Sequence, residues 1–310
     1  MRTPRFWRTK NITSILLYPL GVAYYLCYKI RCCINFRPYK SRIPVICIGN
    51  LIAGGSGKTP TAIEIAKELR AKKVRYCFLS KGYGGKFNGI LQVSGQDTAE
   101  KVGDEAMIMC EYGDTFISKD RVNGLKYINE NFDYDHIIMD DGLQNPTFIK
   151  DKIILVVDGV FGFGNGFILP AGALREKFSN VRNRVDTVVI NGEDRHNISL
   201  LCNKYNITCI NSRIRAEVGD NLLKNEYVAF CGLGMPEKFE KTLVENNIKV
   251  VKFIPFGDHY NYTERDIESL KKYGHKLLTT KKDWVRLTDR YRKEIEYLDI
   301  YLDFGDKKIL

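Results

Sequence analysis

Pro44-Val45-Ile46-Cys47-Ile48-Gly49-Asn50-Leu51-Ile52-Ala53-Gly54-Gly55-Ser56-Gly57-Lys58-Thr59-Pro60 is the stretch that decides the fold. Residues 45–48 form a short apolar run of the kind a strand buried on both faces carries, and a glycine-rich turn ends it. Pro60 suits the first turn of a helix, and Ile63, Ile65, Ala66 and Leu69 give that helix an apolar stripe. A glycine-rich loop between a strand and a helix is the setting of a phosphate cradle. Its glycines let backbone N–H groups point at phosphate oxygens, Lys58 reaches the outer phosphates, and the Thr59 hydroxyl can ligate Mg2+. Ile52, Ala53, Gly54, Gly55, Ser56, Gly57, Lys58 and Thr59 are therefore the expected nucleotide contacts. The strict pattern G-x-x-x-x-G-K-[ST] wants glycine where Ile52 stands; the remainder is intact.

Working outward, strand-like runs recur at 76–79, 136–139, 153–157 and 187–190, with helical segments between most of them. This alternation predicts an α/β fold, a parallel sheet of the P-loop NTPase type flanked by helices, with ligands gathered at the carboxyl ends of its strands. From residue 227 the pattern restarts, with strands at 228–231, 250–254 and 277–279 and helices at 236–245 and 264–273. The chain thus divides into an arm (1–42), a P-loop core (43–215) and a smaller C-terminal α/β lobe (216–310), connected around 211–226.

A phosphate loop needs a carboxylate for its metal at the end of a neighbouring strand. The sequence His136-Ile137-Ile138-Met139-Asp140-Asp141 supplies two, 82 residues after Lys58, although either acid could equally be a cap or turn residue. Gly103-Asp104-Glu105, before an apolar run, reads by itself as a helix start. Of the histidines at 136, 196, 259 and 275, His259 follows a strand of the smaller lobe, where such a lobe presents site residues. Thr280-Lys281-Lys282-Asp283 fits the [NT]-K-x-D pattern that reads guanine, which raises a membrane-associated, GTPase-like nucleotide switch as the rival function. Against it, 222 residues separate Lys58 from Thr280, and Met139 stands where a D-x-x-G would begin.

Charge narrows the partners. The 310 residues are 44% hydrophobic with nine prolines, enough for a substantial core, and carry a net charge of +11. Arg2, Arg5, Arg8, Lys10, Lys29, Arg31, Arg37, Lys40 and Arg42 all precede the first acidic residue, Glu64. The rest holds 39 basic against 37 acidic residues, so the excess sits on a segment that is also apolar. That favours an anionic lipid surface and argues against nucleic acid, which calls for basic residues spread over a folded face. The uncharged run 11–28, with Pro19, Gly21 and four tyrosines, is just long enough to span a bilayer and equally suited to lie in its interface. Nine cysteines without a C-x-x-C pair suggest free thiols in a reducing compartment.

Taken together, the segments 44–60, 80–85 (SKGYGG), 103–105, 140–144 (DDGLQ), 158–176 (DGVFGFGNGFILPAGALRE), 258–259 and 280–283 closely resemble those of the tetraacyldisaccharide 4'-kinase family of lipid A biosynthesis. The resemblance implies a transferase that uses ATP and Mg2+ to phosphorylate the 4'-hydroxyl of a tetraacylated glucosamine disaccharide 1-phosphate, giving lipid IVA. It implies work at the cytoplasmic face of the bacterial inner membrane, the arm acting as a monotopic anchor, with no obligate protein partner. By the same resemblance Asp104 is the base, with His259 its partner and Lys58 on the phosphates. Asp140 and Asp141 with Thr59 hold the metal, Tyr83 lies near the nucleotide, and Arg121, Arg175, Glu176 and Gln144 contact the acceptor. Asn145, Ala106, Lys81 and Lys281 depart from the residues the family usually carries. Asn145 leaves that position without an assigned role, and Lys281 weakens the GTPase-like match.

Overall fold

The structure, a computed structural model, describes residues 4–34 and 37–310; Arg2, counted with the basic arm, lies outside them. A 3-10 turn (Arg5–Trp7) leads into α1 (Ile12–Leu16) and α2 (Tyr18–Ile34). Asn11 and Ser14 cap α1 reciprocally, each side chain accepting from the other's backbone N–H at 2.9 Å. Gly21, Tyr25, Tyr28 and Cys32 recur on the helical period and turn toward the protein. Tyr25 Oη accepts from Asn180 at 2.8 Å, and Tyr28 Oη donates to Glu176 at 3.1 Å. Leu20, Val22, Tyr24, Leu26, Ile30 and Ile34 remain exposed. No described helix is long and apolar enough to cross a membrane, and the run 11–28 is divided between two helices at Leu17.

The core follows as β1 (Val45–Gly49), α3 (Lys58–Ala71), β2 (Tyr76–Ser80), β3 (Ile90–Val93), α4 (Ala99–Val102), α5 (Asp104–Met109), β4 (Thr115–Ser118), α6 (Arg121–Asn131), β5 (His136–Asp140), β6 (Lys152–Asp158), α7 (Phe178–Val181), β7 (Thr187–Asn191), α8 (Ile198–Lys204) and β8 (Thr208–Glu217). The strands align as β8-β7-β6-β1-β5-β2-β4-β3, parallel throughout except for the edge strand β3. The pleat sends alternate residues to opposite faces. Ile46, Ile48, Ile138 and Ile154 pack on Ala62, Ile65, Ala66 and Leu69 of α3. Val45, Cys47, Ile137 and Met139 pack on the other side with Leu125 and Ile128 of α6, against which Trp7 and Tyr25 of the arm also rest. With both faces covered, β1 is buried throughout and β5 from Ile137 onward.

The smaller lobe contains α9 (Asp220–Lys224), β9 (Glu226–Cys231), α10 (Pro236–Glu245), β10 (Lys249–Pro255), α11 (Glu264–Lys271), β11 (Lys276–Thr280), α12 (Lys281–Trp284), α13 (Asp289–Arg292) and β12 (Glu296–Asp303). Its strands run parallel in the order β10-β9-β11-β12. A two-stranded ribbon joins it to the core. Residues 208–212 of β8 pair with β7, whereas 213–217 pair antiparallel with 299–303 of β12, whose 296–298 pair with β11. The sequence boundary at 215/216 falls inside this ribbon, and the stretch 211–226 read as a connection is largely strand and short helix. Residues 304–310, counted with the smaller lobe, return to the core: Ile309 is buried beside α3, and Glu68 accepts from the N–H groups of Ile309 and Leu310 at 2.8 and 3.1 Å.

Candidate active site

The loop 52–59 leaves the carboxyl end of β1, between β6 and β5. Gly57 takes φ of +92°, and a Cβ there would lie 2.2 Å from Asn191 Nδ2, so only glycine fits. That amide, from the end of β7, donates to Ser56 O at 2.6 Å, and Asn50 Nδ2 donates to Gly54 O at 3.1 Å. The missing first glycine has a local explanation. Ile52 is buried, bridges antiparallel to Leu174, and is followed by Ala53 N–H donating to Ala173 O at 2.8 Å. The start of the loop is fastened as a strand is, and a side chain at 52 contributes burial.

Two acids end β5 and are pushed apart electrostatically. Burial raises the Asp140 carboxyl to about 7, Glu105 and Asp141 adding to the rise against Lys58 and Arg121. Asp141 is only half-buried; desolvation pushes its carboxyl up, but Lys58 at 3.8 Å and Arg175 at 3.1 Å outweigh that and hold it below the ordinary carboxylate range. Its φ of +51° is uncommon for a non-glycine residue, a strain of the sort that clusters at functional sites. Asp140 Oδ1 and Ser56 Oγ are buried without a hydrogen-bond partner among the described residues. A buried carboxylate with an oxygen that receives no hydrogen bond, beside a phosphate loop, suits a divalent ion. Among the described residues no three His, Cys, Asp or Glu side chains group as a metal cage, and Mg2+ asks for none, since it takes one or two carboxylates with phosphate and water.

Asp104 is placed by backbone packing. Gly103, at φ +93°, ends α4 and begins α5; a Cβ on it would stand 2.5 Å from Tyr83 O, so the loop 80–85 and the turn before Asp104 touch main chain to main chain. The two motifs belong to one contact. Asp104 is 3% exposed, and its partners arrive from the smaller lobe. His259 Nδ1 lies 3.2 Å from its Oδ2, and Arg286 donates to the same oxygen through Nε at 3.0 Å and through Nη2. Lys282 stands 3.9 Å away and pairs with Glu105 at 3.1 Å. Burial pushes the Asp104 carboxyl up, but Lys282, His259 and Arg286 outweigh it and hold the group well below the usual range. His259 also takes a left-handed φ of +54°, and the Tyr83 ring lies 5.3 Å from its imidazole.

Of the residues expected to contact the acceptor, Arg121 and Glu176 are buried and Arg175 and Gln144 half-buried, each with partners inside the protein. Arg121 is buried and donates to Ser118 O and Asp140 O. Arg175 bridges Asp141, Asn50 Oδ1 at 2.7 Å and Ile52 O at 3.2 Å, while Gln144 donates to Asn50 O. Glu176 pairs with Arg184 at 2.8 Å and with Tyr28 of the arm. These bonds tie together the phosphate loop, Asp140, Asp141 and the arm. Asn50, Asn191, Glu105, Lys282 and Arg286 were not singled out from the sequence; for Lys282 the signal lay in the 280–283 motif, read there as a base-recognition rival. Asp283 has no such role here. It is fully buried and accepts from Gly232 N–H at 3.0 Å, Tyr262 at 2.9 Å and Arg286 at 2.9 Å, while its N–H donates to Thr280 Oγ1.

A family model described as tetraacyldisaccharide-1-P 4'-kinase matches residues 13–310. Proteins named tetraacyldisaccharide 4'-kinase from Paramagnetospirillum magneticum, Gluconobacter oxydans and Rickettsia akari are 37%, 35% and 35% identical, over 100%, 99% and 99% of this chain and 97%, 95% and 94% of theirs. A crystal structure of the "apo" form of LpxK from Aquifex aeolicus in complex with ATP matches at a TM-score of 0.76 and 28% identity, covering 93% of each chain. With a phosphate loop, a split pair of carboxylates and an aspartate–histidine contact closed by a second lobe, this chain belongs to the tetraacyldisaccharide-1-P 4'-kinase family.

Proposed function

We propose that the chain transfers the γ-phosphoryl group of ATP to the 4'-hydroxyl of a tetraacylated glucosamine disaccharide 1-phosphate, working from the cytoplasmic face of the inner membrane. The observation that carries this reading is the meeting of Asp104 with His259 next to Glu105, which in turn acts on Asp140 beside the phosphate loop. The proposed proton acceptor is thus next in sequence to an acid whose charge reaches the carboxylate beside the phosphate loop.

Phosphoryl transfer asks mainly for alignment and neutralisation of charge. The loop amides and Lys58 hold the phosphates of ATP. Thr59, Asp140 and Asp141 are the residues that would hold Mg2+, which neutralises phosphate charge when bound. The acceptor oxygen forms its bond to the γ-phosphorus as the bond to the bridging oxygen breaks and ADP leaves. The hydroxyl proton goes to Asp104. A carboxylate kept so acidic holds a proton only in passing, and His259, 3.2 Å away, is placed to keep it. Tyr83, whose ring meets the imidazole edge-on, is placed to shield that pair from solvent.

The acceptor carries four acyl chains and stays in its bilayer, so the enzyme must come to it. The exposed apolar face of α2, with Lys29 and Arg31 on the same helix, suits the headgroup region of an anionic leaflet. The test is incubation of the purified protein with ATP, Mg2+ and the tetraacylated disaccharide 1-phosphate, followed by mass spectrometry and 31P NMR. A phosphate monoester on the distal sugar is expected. ATP consumption without lipid phosphorylation overturns the reading.

A further inference from the structure

Arg286 follows α12 and is nearly buried, its side chain 6% exposed. Its guanidinium is spent on four groups that belong to two lobes. Nε and Nη2 bond Asp104 Oδ2, Nη2 lies 3.2 Å from His259 Nδ1, and Nη1 bonds Asp283 Oδ1 at 2.9 Å and reaches Gly232 O at 3.4 Å. Asp283 is itself fixed by Gly232 N–H and Tyr262. The core contributes Asp104; the smaller lobe contributes everything that holds the arginine still. We propose that Arg286 is the positioning residue of the phosphoryl-acceptor site: its planar fork, anchored on Asp283, sets the Asp104 carboxylate against the His259 imidazole, so that the acid–base pair exists only while the smaller lobe is seated.

The chemistry of the side chain is specific to this task. A guanidinium offers donors in a rigid plane, so one edge can hold Asp104 while another holds Asp283; a lysine in its place is a point donor that satisfies one of them. Arg286 also never deprotonates at working pH, so it supplies constant charge and leaves proton traffic to the imidazole. The charged groups facing Asp104 are His259 from the loop after β10, Lys282 and Arg286 around α12, and Glu105 on its own helix; Asp258 and Asp283 stand behind the first and third.

The inference rests on the kinase reading, and the experiment separates the two. Wild-type protein is first assayed with ATP and the lipid disaccharide; no phosphorylated product sinks the reading itself. Independently of activity, 15N NMR of the His259 ring compares wild type with Arg286→Gln: a changed ring signature with an unchanged melting temperature supports the proposal, and an unchanged signature overturns it. In kinetics, Arg286→Ala is expected to lower kcat by about a hundredfold, the lower end of a general-base contribution, with ATP affinity altered less than about threefold. Arg286→Lys should recover only part of that rate. Added ethylguanidinium should raise the rate of Arg286→Ala but not of Asp104→Ala, and the acid limb of the variant's pH profile should move upward as Asp104 loses its cation. Full activity in Arg286→Ala overturns the proposal. So does a loss of rate matched by lost ATP binding and lost thermal stability without guanidinium rescue.

Discussion

Asp104 and Asp140 are both buried carboxylates, and their surroundings drive them in opposite directions. In the proposed mechanism Asp104 is the acceptor of the hydroxyl proton and is not among the residues assigned to ATP. Asp104→Ala should lower phosphoryl transfer by about 10²–10⁴-fold while a fluorescent ATP analogue binds as before; near wild-type turnover would dismiss the assigned role. Asp140 predicts a pH dependence. Its folded carboxyl titrates near 7, whereas in an unfolded chain it ionises near ~3.9. In metal-free protein the folded state therefore keeps a proton that the unfolded state has released between those values. The penalty of the buried charge grows through that window and is complete above it. Mg2+ must displace the same proton, so its affinity should rise about tenfold per pH unit up to 7 and level off beyond. Calorimetric titration at pH 6 and pH 8 tests this, and the slope should disappear in Asp140→Asn.

The arm shows how an element can serve two masters. One face of α2 is tied to the core by Tyr25 and Tyr28, and Gly21 approaches so closely that a Cβ there would meet Ile168 O at 2.9 Å. Deleting the arm would strip the core as well as the proposed membrane contact, so the informative changes lie on the outer face. Leu26 and Ile30 are exposed, and each gains up to ~1.5–3 kcal/mol on full burial in an apolar medium. Leu26→Glu with Ile30→Glu should abolish sedimentation with anionic vesicles while changing unfolding free energy by less than ~0.5 kcal/mol. Co-sedimentation equal to wild type would remove the arm from the membrane-binding account. These elements also mark what the sequence can express. β1, β2, β5, β6 and α10 are legible because apolar runs or helical periods are long enough to read. β3, β4 and the outer half of β8 are not, since four-residue strands and a half-exposed ribbon carry little pattern. The family resemblance assigns Arg121 and Arg175 to the acceptor, whereas their bonds to Ser118 O and Asp140 O, and to Ile52 O, Asn50 and Asp141, join segments too far apart for the sequence to announce. Contacts between distant segments, such as Gly103 on Tyr83 or Arg286 on Asp104, have no sequence signature at all.

At the scale of the whole molecule, charged contacts tie the smaller lobe to the rest of the protein at more than one place. Lys238 at the start of α10 pairs with buried Asp158 at the end of β6, Arg8 of the arm pairs with Glu237 at 2.9 Å, and Arg286 and Lys282 hold the far side. A nucleotide bound at the phosphate loop, beside those contacts, should stabilise core and lobe together. At a hundred times its dissociation constant, MgATP should add about 2.7 kcal/mol to unfolding, read as a rise in melting temperature. MgGTP at the same concentration should add less, because Asp283 is already saturated with internal donors and has none of its carboxylate to offer a guanine. A larger shift with GTP would restore the switch reading. The ribbon of β8 and β12 gives the assembly one further property. The polypeptide passes into the smaller lobe along one strand and comes back along its antiparallel neighbour, and the tail then docks on α3. The lobe is therefore held like a page by two adjacent stitches: a single protease nick at the exposed turn near Asp220 would cut the thread without loosening the page.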